Sequence, residues 1–158
     1  MKFTFTQDVD TVFEALTNQD QYVARCEALG EKAKCATTTS GTTTKLAVER
    51  TVRRELPGPL AKIGNPENTI KSDVTWNNPG QGQAKSGSYV ATVIGAPMPI
   101  TINAKYSLRP TASGSEYEID VDVQVKHLLL GKIAKSFAQK EVESSLPQEI
   151  AEMKKQLG

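Results

Sequence analysis

The single histidine and the two cysteines are the residues that could support nucleophilic catalysis or metal binding. His127 is the only histidine, so a Ser-His-Asp or Cys-His arrangement would have to use this one ring. Cys26 and Cys35 are nine positions apart, which matches no C-x-x-C zinc or redox spacing. A regulatory disulfide between them would need Cα atoms within about 7 Å and an oxidising compartment. We expect two reduced thiols, and a partly exposed His127 between a strand and a helix.

Two further sequence patterns resemble ligand-binding motifs but lack residues or elements that those motifs need. The run Gly80-Gln-Gly82-Gln-Ala-Lys85 is close to the phosphate-binding G-x-G-x-x-G pattern, but it ends in lysine and a strand follows where the motif needs a helix. Asp120 and Asp122 share one strand face, whereas a hard cation usually takes about six or more oxygen ligands from a loop. No G-x-S-x-G, P-loop or H-E-x-x-H motif is present. We expect no metal, no cofactor and no catalytic residue.

Composition excludes several classes of protein. The chain has 158 residues, with 19 Lys and Arg against 18 Asp and Glu, a formal net charge of +1, whereas nucleic-acid binding needs a concentrated basic surface. No stretch reaches the roughly 20 apolar residues that span a bilayer, and the amino terminus has no apolar signal core. The length suits one domain, residues 1–158, of undetermined oligomeric state. We expect a cytoplasmic protein that does not bind nucleic acid.

The amino-terminal and central residues predict helices followed by a β-rich region. Phe3 and Phe5 alternate with polar residues, as in a half-buried strand. Asp8 is placed to cap a helix, and a second short helix ends at Gly30, which suits a left-handed cap. From residue 31 to 126, β-branched residues alternate between Gly, Pro and Asn turns, which predicts an antiparallel meander. Its strands are predicted at residues 34–39, 42–55, 69–77, 83–94, 100–109 and 116–126, with Leu56-Pro-Gly-Pro-Leu60 as a break.

The carboxyl-terminal residues return to the helical period. The apolar stripe of one long helix consists of Leu130, Ile133, Ala134, Phe137, Val142, Leu146, Ile150, Met153 and Leu157. Pro147 interrupts the run, so we expect a kink near residues 142–146 and easy opening of the turns beyond it. The apolar face of the sheet needs a cover, and this helix is the only long one available. Its basic amphipathic character also permits transient membrane contact.

The order of these elements is accompanied by a set of loose motifs along the chain. They are Tyr22, Arg25, Leu29, Gly30, Glu49-Arg50, Leu56-Pro57, Trp76, Gly95-x-Pro97, Leu108-x-Pro110 and Gly131. Over nearly its whole length the sequence thereby resembles the START-like (SRPBCC) helix-grip superfamily of lipid-transfer domains, pathogenesis-related allergens and polyketide cyclases, and within it a bacterial branch of domains of unknown function. The resemblance implies an α+β fold, in which a curved antiparallel sheet of about seven strands follows two short helices and grips a long kinked carboxyl-terminal helix on its concave face. His127-Leu128 and Pro147 depart from the usual pattern of that branch.

The resemblance also implies an internal cavity between the sheet and the final helix, used across the superfamily for lipids, sterols or polyketides. Strand and helix periods then assign the inward positions. The candidate lining residues are Leu46, Val48, Arg50, Val74, Trp76, Tyr89, Ala91, Ile102, Ala104, Tyr106, Ile119, Val121, Val123, Ile133 and Phe137. We expect Val123 and Phe137 to face each other across this gap, and a fully packed core is the alternative to a cavity.

Three functions fit these patterns. The first is non-catalytic binding or transport of a hydrophobic small molecule or lipid, driven by burial of apolar surface. The second is a polyketide-cyclase or hydrolase-like enzyme, for which Tyr89, Tyr106 and Tyr117 are the only candidate acid or base groups near the cavity. The third is a protein-interaction module of the chaperone-cofactor type, which an exposed apolar patch would favour. The sequence favours the first.

Arg50 is the one charged residue among the predicted inward positions, beside Leu46, Val48 and Val52. Burial of an unpaired guanidinium is costly, so Arg50 must meet a carboxylate, backbone carbonyls or an anionic group of a ligand. The alternatives are a position near the end of the sheet, from which the side chain reaches water, or a bulge that reverses its direction. An acidic head group on an apolar ligand is the functional hypothesis for Arg50.

Overall fold

The computed structural model describes all residues, Met1–Gly158, as seven strands and four helices. In chain order the elements are β1 (Lys2–Phe5), α1 (Val9–Thr17), α2 (Gln19–Ala28), β2 (Lys32–Ser40), β3 (Thr43–Arg53), α3 (Gly58–Ala61), β4 (Glu67–Asn77), β5 (Lys85–Ile94), β6 (Ile100–Thr111), β7 (Gly114–Val125) and α4 (Gly131–Leu157). Each of the six strands β2 to β7 begins and ends within two residues of its predicted bounds. The short helix α3 was not predicted, and it occupies the proline-containing break after β3.

The seven strands form one antiparallel sheet in the order β1-β7-β6-β5-β4-β3-β2. From β2 to β7 each strand pairs with the next along the chain, and β1 pairs with β7 at one edge. Gly41, with a φ of 58°, lies in the tight turn between β2 and β3. Burial alternates along β3 and β7, so one face of the sheet is apolar and the other faces solvent. The fold is α+β, with α4 packed against the apolar face.

Two capped helices connect β1 to the rest of the sheet. The carboxylate of Asp8 accepts hydrogen bonds from two amides in the first turn of α1, as the sequence predicted. Asn18 ends α1 and caps α2 in the same way. Gly30 has a φ of 78°, the left-handed conformation expected where the chain leaves α2. None of the four helices combines the length and the apolar character that crossing a membrane requires.

The main hydrophobic core lies around Trp76, which is 1% exposed. Its ring packs against Phe13, Tyr106 and Tyr117, with centroids between 5.4 and 6.0 Å apart. A second, smaller cluster consists of Leu60, Met98 and Ala134. The core is therefore divided, and the space between its parts is where an internal cavity can exist.

The long helix α4 continues through Pro147, which removes one backbone donor without ending the helix. Its burial is the reverse of what the proline led us to expect. Ile150 and Met153, which lie beyond Pro147, belong to the main core, whereas Ala134 is the only buried residue before it. The core holds the last turns in place, so the first half of α4 is the loosely packed part.

Hydrogen exchange should reveal this difference along α4. We expect amides in residues 133–145 to exchange faster than those in residues 149–156, because opening the first half breaks few buried contacts. Exchange measured by mass spectrometry on overlapping peptides would report the two halves separately. Slower exchange in the first half than in the second would contradict this assignment.

Candidate functional site

A cavity of about 240 Å³ lies between the apolar face of the sheet and α4. Of the 38 residues that line it, 27 are hydrophobic. Its volume exceeds the roughly 150 Å³ of an engineered apolar cavity that binds benzene, and it is slightly below the roughly 300 Å³ at which pockets for drug-sized molecules begin. The space suits a small apolar molecule or a single apolar chain.

Branched aliphatic side chains on the central strands form the sheet wall of this cavity. Ile70, Val93, Ile102 and Val121 all line it, and each remains partly accessible although it points towards α4. From the opposite side, α4 contributes the small residue Ala138. A side chain as short as that of Ala138 leaves more space on the helix side of the cavity than a larger residue would.

Three connections lie together at one end of the sheet, and we call this the mouth end: residues 54–66, which contain α3, residues 95–99 between β5 and β6, and residues 126–130 before α4. A Cβ added at Gly64 would lie 3.8 Å from Pro97, so the first two connections are in contact. The amide of Lys126 donates to the carbonyl of Pro99 at 3.2 Å, which joins the third. Leu60 and Met98 line the cavity here, so its wall extends to the mouth end.

Most of the residues that the sequence predicted to line the cavity do line it, and four do not. Eleven of the fifteen line it: Leu46, Arg50, Val74, Trp76, Tyr89, Ile102, Ala104, Tyr106, Ile119, Val121 and Phe137. Val48, Ala91 and Val123 are buried on the same face but lie outside the lining, so Val123 does not share the cavity with Phe137. Ile133 is 38% exposed and also lies outside it, in the first turn of α4.

Arg50 points inwards, and the protein itself satisfies its guanidinium. Its Nε and Nη2 donate to Oε2 of Glu31 at 2.9 and 2.5 Å, and its Nη1 donates to Oε2 of Glu149 at 3.1 Å. The Tyr22 hydroxyl accepts a longer bond from Nη1 at 3.4 Å. Burial acts to lower the pKa of Arg50, but the charge of Glu149 and the other acidic groups around it outweigh burial and raise that pKa. These internal carboxylates occupy the place that our hypothesis gave to an acidic ligand.

Glu31 joins two arginines, and its side chain is only 2% exposed. Its Oε1 accepts from Nη2 of Arg54 at 2.8 Å, and Nε of Arg54 lies 2.6 Å from Oε2 of Glu141. We call the five residues Glu31, Arg50, Arg54, Glu141 and Glu149 the Glu31 network. It links the end of α2, strand β3 and helix α4 along one side of the cavity.

Arg25 is the remaining charged residue of the lining, and it is 1% exposed. Its Nη1 donates to the carbonyl of Ala15 at 2.8 Å and to Oε1 of Gln156 at 3.1 Å, whereas its Nε has no hydrogen-bond partner. It therefore ties α1, α2 and α4 together. With Arg25 included, three arginines and three glutamates line the cavity, so the formal charge of the lining is zero.

The groups that acid-base or nucleophilic catalysis could use are held in unreactive forms. Burial raises the pKa of all four tyrosines, Tyr22, Tyr89, Tyr106 and Tyr117, and it raises the pKa of Cys26 to about 12. The only histidine, His127, is exposed outside the cavity, and its Nδ1 accepts from the amides of Leu129 and Leu130. At neutral pH the tyrosines are phenols and Cys26 is a thiol, which are poor bases and nucleophiles.

Sequence patterns missed the acidic members of this site. Glu141 and Glu149 are eight positions apart on α4, in the same row as Phe137 and Ser145, which also line the cavity. A spacing of four residues keeps side chains on one helix face, so this row carried a usable signal. No comparable signal in the sequence marks Glu31, because this residue follows the helix-ending Gly30 and its partners are distant in sequence.

Comparison with known proteins identifies a family for the whole chain. No curated protein sequence matches it significantly. The family model described as "Protein of unknown function (DUF2505)" matches residues 1–157. The seven-strand antiparallel sheet with its carboxyl-terminal helix is compatible with a helix-grip fold. The chain belongs to the DUF2505 family.

Proposed function

We propose that this protein is a non-catalytic binder or carrier of a hydrophobic small molecule, held in the cavity between the sheet and α4. The observation that carries the proposal is a cavity of about 240 Å³ with 27 hydrophobic residues among the 38 that line it. Burial of an apolar ligand there would contribute about 25 cal/mol for each Å² removed from water. The resemblance to START-like domains supports the same use of the same space.

The charges of the lining favour a ligand without net charge. The three arginines and three glutamates of the lining balance, and the donors of Arg50 are directed at Glu31 and Glu149. An acidic ligand would have to compete with those carboxylates for the guanidinium, and the cost of burying its charge would remain. We therefore propose a neutral apolar ligand, and this replaces the acidic head group of our sequence hypothesis.

Transport is favoured over a cyclase or hydrolase reaction in the same cavity. Such an enzyme needs a general acid or base that can exchange a proton near pH 7. The carboxylates of the lining are paired with arginines, and burial keeps the tyrosines protonated. Cys26 and Cys35 are free thiols, which suits a reducing compartment, and we propose that the protein acts in the cytoplasm.

A pair of identical substitutions on β5 tests the proposal. Val93 lines the cavity, whereas Val90 is exposed on the opposite face of the same strand. In Val93→Phe the ring would occupy ligand space, so the dissociation constant of a neutral apolar fluorophore should rise at least about tenfold, or ~1.4 kcal/mol. Val90→Phe should bind the fluorophore as the unmodified protein does. Fluorescence titration of the three proteins gives the comparison.

Native mass spectrometry with organic extraction would identify the class of the natural ligand. We expect a neutral, largely apolar molecule to co-purify with the protein and with Val90→Phe, and to be depleted in Val93→Phe. A protein that emerges empty and fails to bind the fluorophore would contradict a carrier function. If the extracted molecule is chemically altered after incubation with fresh protein, the cyclase or hydrolase alternative would replace the carrier function.

A further inference from the structure

The chain between β7 and α4 exposes adjacent leucines at the mouth end. Leu128 is 103% exposed and Leu129 is 86% exposed, the highest values among the large hydrophobic residues. Ile63, Ile94 and Ile133, which are also exposed, lie in or beside the three connections of this end. Single exposed apolar residues are ordinary, but fully exposed neighbours indicate a surface with a partner. We call residues 126–135 the leucine tip.

The charge around these leucines has one sign. The leucine tip contains three lysines, Lys126, Lys132 and Lys135, all exposed, and no aspartate or glutamate. The first turn of α4 has no acidic residue, although helix amino termini favour negative charge. Lysines there oppose the helix dipole, so helix stability does not account for them. Together with the helix amino terminus they make the tip attractive to anions.

The facing connection does not cancel this charge. Across the mouth end, the exposed charged side chains next to α3 are Arg53 and Lys62 against Glu55 and Glu67, which balance. The positive charge of the leucine tip is therefore uncompensated at this end. Exposed leucines next to several lysines match the chemistry of an anionic bilayer, with an apolar interior beneath negative head groups.

The leucine tip is also continuous with the cavity wall. Leu130 packs against the small cluster of Leu60, Met98 and Ala134, and all three residues of that cluster line the cavity. The first half of α4, which begins at the tip, is the loosely packed half of the helix. Anything that inserts Leu128 and Leu129 into a bilayer would thus bring the mouth end against the lipid.

We propose that the leucine tip docks on an anionic membrane surface, where an apolar ligand can pass between the bilayer and the cavity. The docking step rests on the exposed leucines and lysines, and the transfer step rests on the proposed carrier function. Leu128 and Leu129 enter the interface, and Lys126, Lys132 and Lys135 contact the head groups. The contact is peripheral and reversible, and salt weakens it.

Vesicle binding with matched variants tests the docking step. Co-sedimentation should show binding to vesicles of phosphatidylcholine with phosphatidylserine, and much weaker binding to phosphatidylcholine alone. The double variant Leu128→Ser, Leu129→Ser should bind at least about tenfold more weakly, because it removes the apolar anchor. Lys132→Gln with Lys135→Gln should weaken binding roughly tenfold or more and lower its salt dependence. Val90→Ser and the pair Lys34→Gln, Lys45→Gln alter exposed residues elsewhere and should bind normally.

The outcomes separate docking from ligand binding. Equal binding to both vesicle types, no binding to either, or unaltered binding by the leucine variant would overturn the docking proposal. A stoichiometric protein complex that needs Leu128 and Leu129, without vesicle binding, would overturn it in favour of a protein partner. Fluorophore binding in solution, which the tip variants should retain, tests the carrier function independently, so either proposal can fail alone.

Discussion

Replacing Glu31 with glutamine is expected to lower the free energy of unfolding by about 3 kcal/mol. The carboxylate is almost completely buried and accepts from both Arg50 and Arg54. Breaking a buried pair costs about 3–5 kcal/mol because it leaves an uncompensated charge. Glu149 still neutralises Arg50 in this variant, which places the loss at the lower end of that range. Urea unfolding followed by the fluorescence of Trp76 would measure it.

Glu49→Gln is the matched control. Glu49 lies on β3 next to Arg50 and pairs with Lys71 at 3.7 Å, but both side chains are about half exposed or more. Exposed pairs contribute at most about 1 kcal/mol, so this variant should be nearly neutral. If the free energy of unfolding falls no further in Glu31→Gln than the small change expected for Glu49→Gln, the Glu31 network does not stabilise the fold.

Glu31→Gln also tests whether the charge balance of the lining makes the cavity prefer a neutral ligand. Glu31→Gln leaves three arginines and two glutamates around the cavity, a formal charge of +1 in place of zero. A fatty acid should then bind more tightly than it binds the unmodified protein, whereas its neutral alcohol analogue should bind equally to both. If the fatty acid shows no preference for the variant, charge balance does not select the ligand.

The strand pattern was predictable because its signal is local. Alternation along each strand gave the apolar face, and Gly, Pro and Asn clusters gave the turns, so the predicted strands lie within two residues of the observed ones. The period gives the face that a residue occupies but not its depth along the sheet. Val48, Ala91 and Val123 therefore face inwards as predicted, yet neighbouring side chains bury them outside the cavity lining.

The partners of Arg50 show where sequence reasoning ends. Its inward direction followed from the strand period, and the need for a partner followed from the cost of a buried charge. Its acceptors, Glu31 and Glu149, are 19 and 99 residues away in the chain, and only the packing of α2 and α4 brings them to β3. A ligand and an internal carboxylate satisfy a guanidinium equally well, so the residue type could not distinguish them.

Pro147 directed our expectation of easy opening to the half of α4 that the structure buries more deeply, for a similar reason. The rule that proline weakens a helix is local, whereas the order of stability along α4 depends on what each turn packs against. Both halves of α4 line the cavity, but only beyond the proline do buried residues, Ile150 and Met153, join the Trp76 core. Ile133 belongs to the apolar stripe but is exposed, because the first turn of α4 lies at the mouth end.

Alkaline pH is expected to destabilise the protein strongly, beginning near pH 9. Burial raises the pKa of Cys26 from 9.0 to about 12 and raises the pKa of every tyrosine above 10.0. The folded state keeps these protons while the unfolded state releases them, so stability is fully present below pH 9 and falls as pH rises. Cys26 alone accounts for about 4 kcal/mol of this loss between pH 9 and about 12, at 1.36 kcal/mol per pH unit.

Two spectroscopic measurements would follow this transition. Since all four tyrosines are affected, tyrosinate absorbance should appear only as the protein unfolds, in step with the loss of far-ultraviolet circular dichroism. Cys26→Ala should make stability fall less steeply above pH 9, and Cys35→Ala should have a smaller effect, because Cys35 is less buried than Cys26. Tyrosinate that forms near pH 10 while the circular dichroism stays native would contradict the prediction. It would mean that water reaches the phenols through the cavity, and the aromatic end of the lining would then be wet instead of apolar.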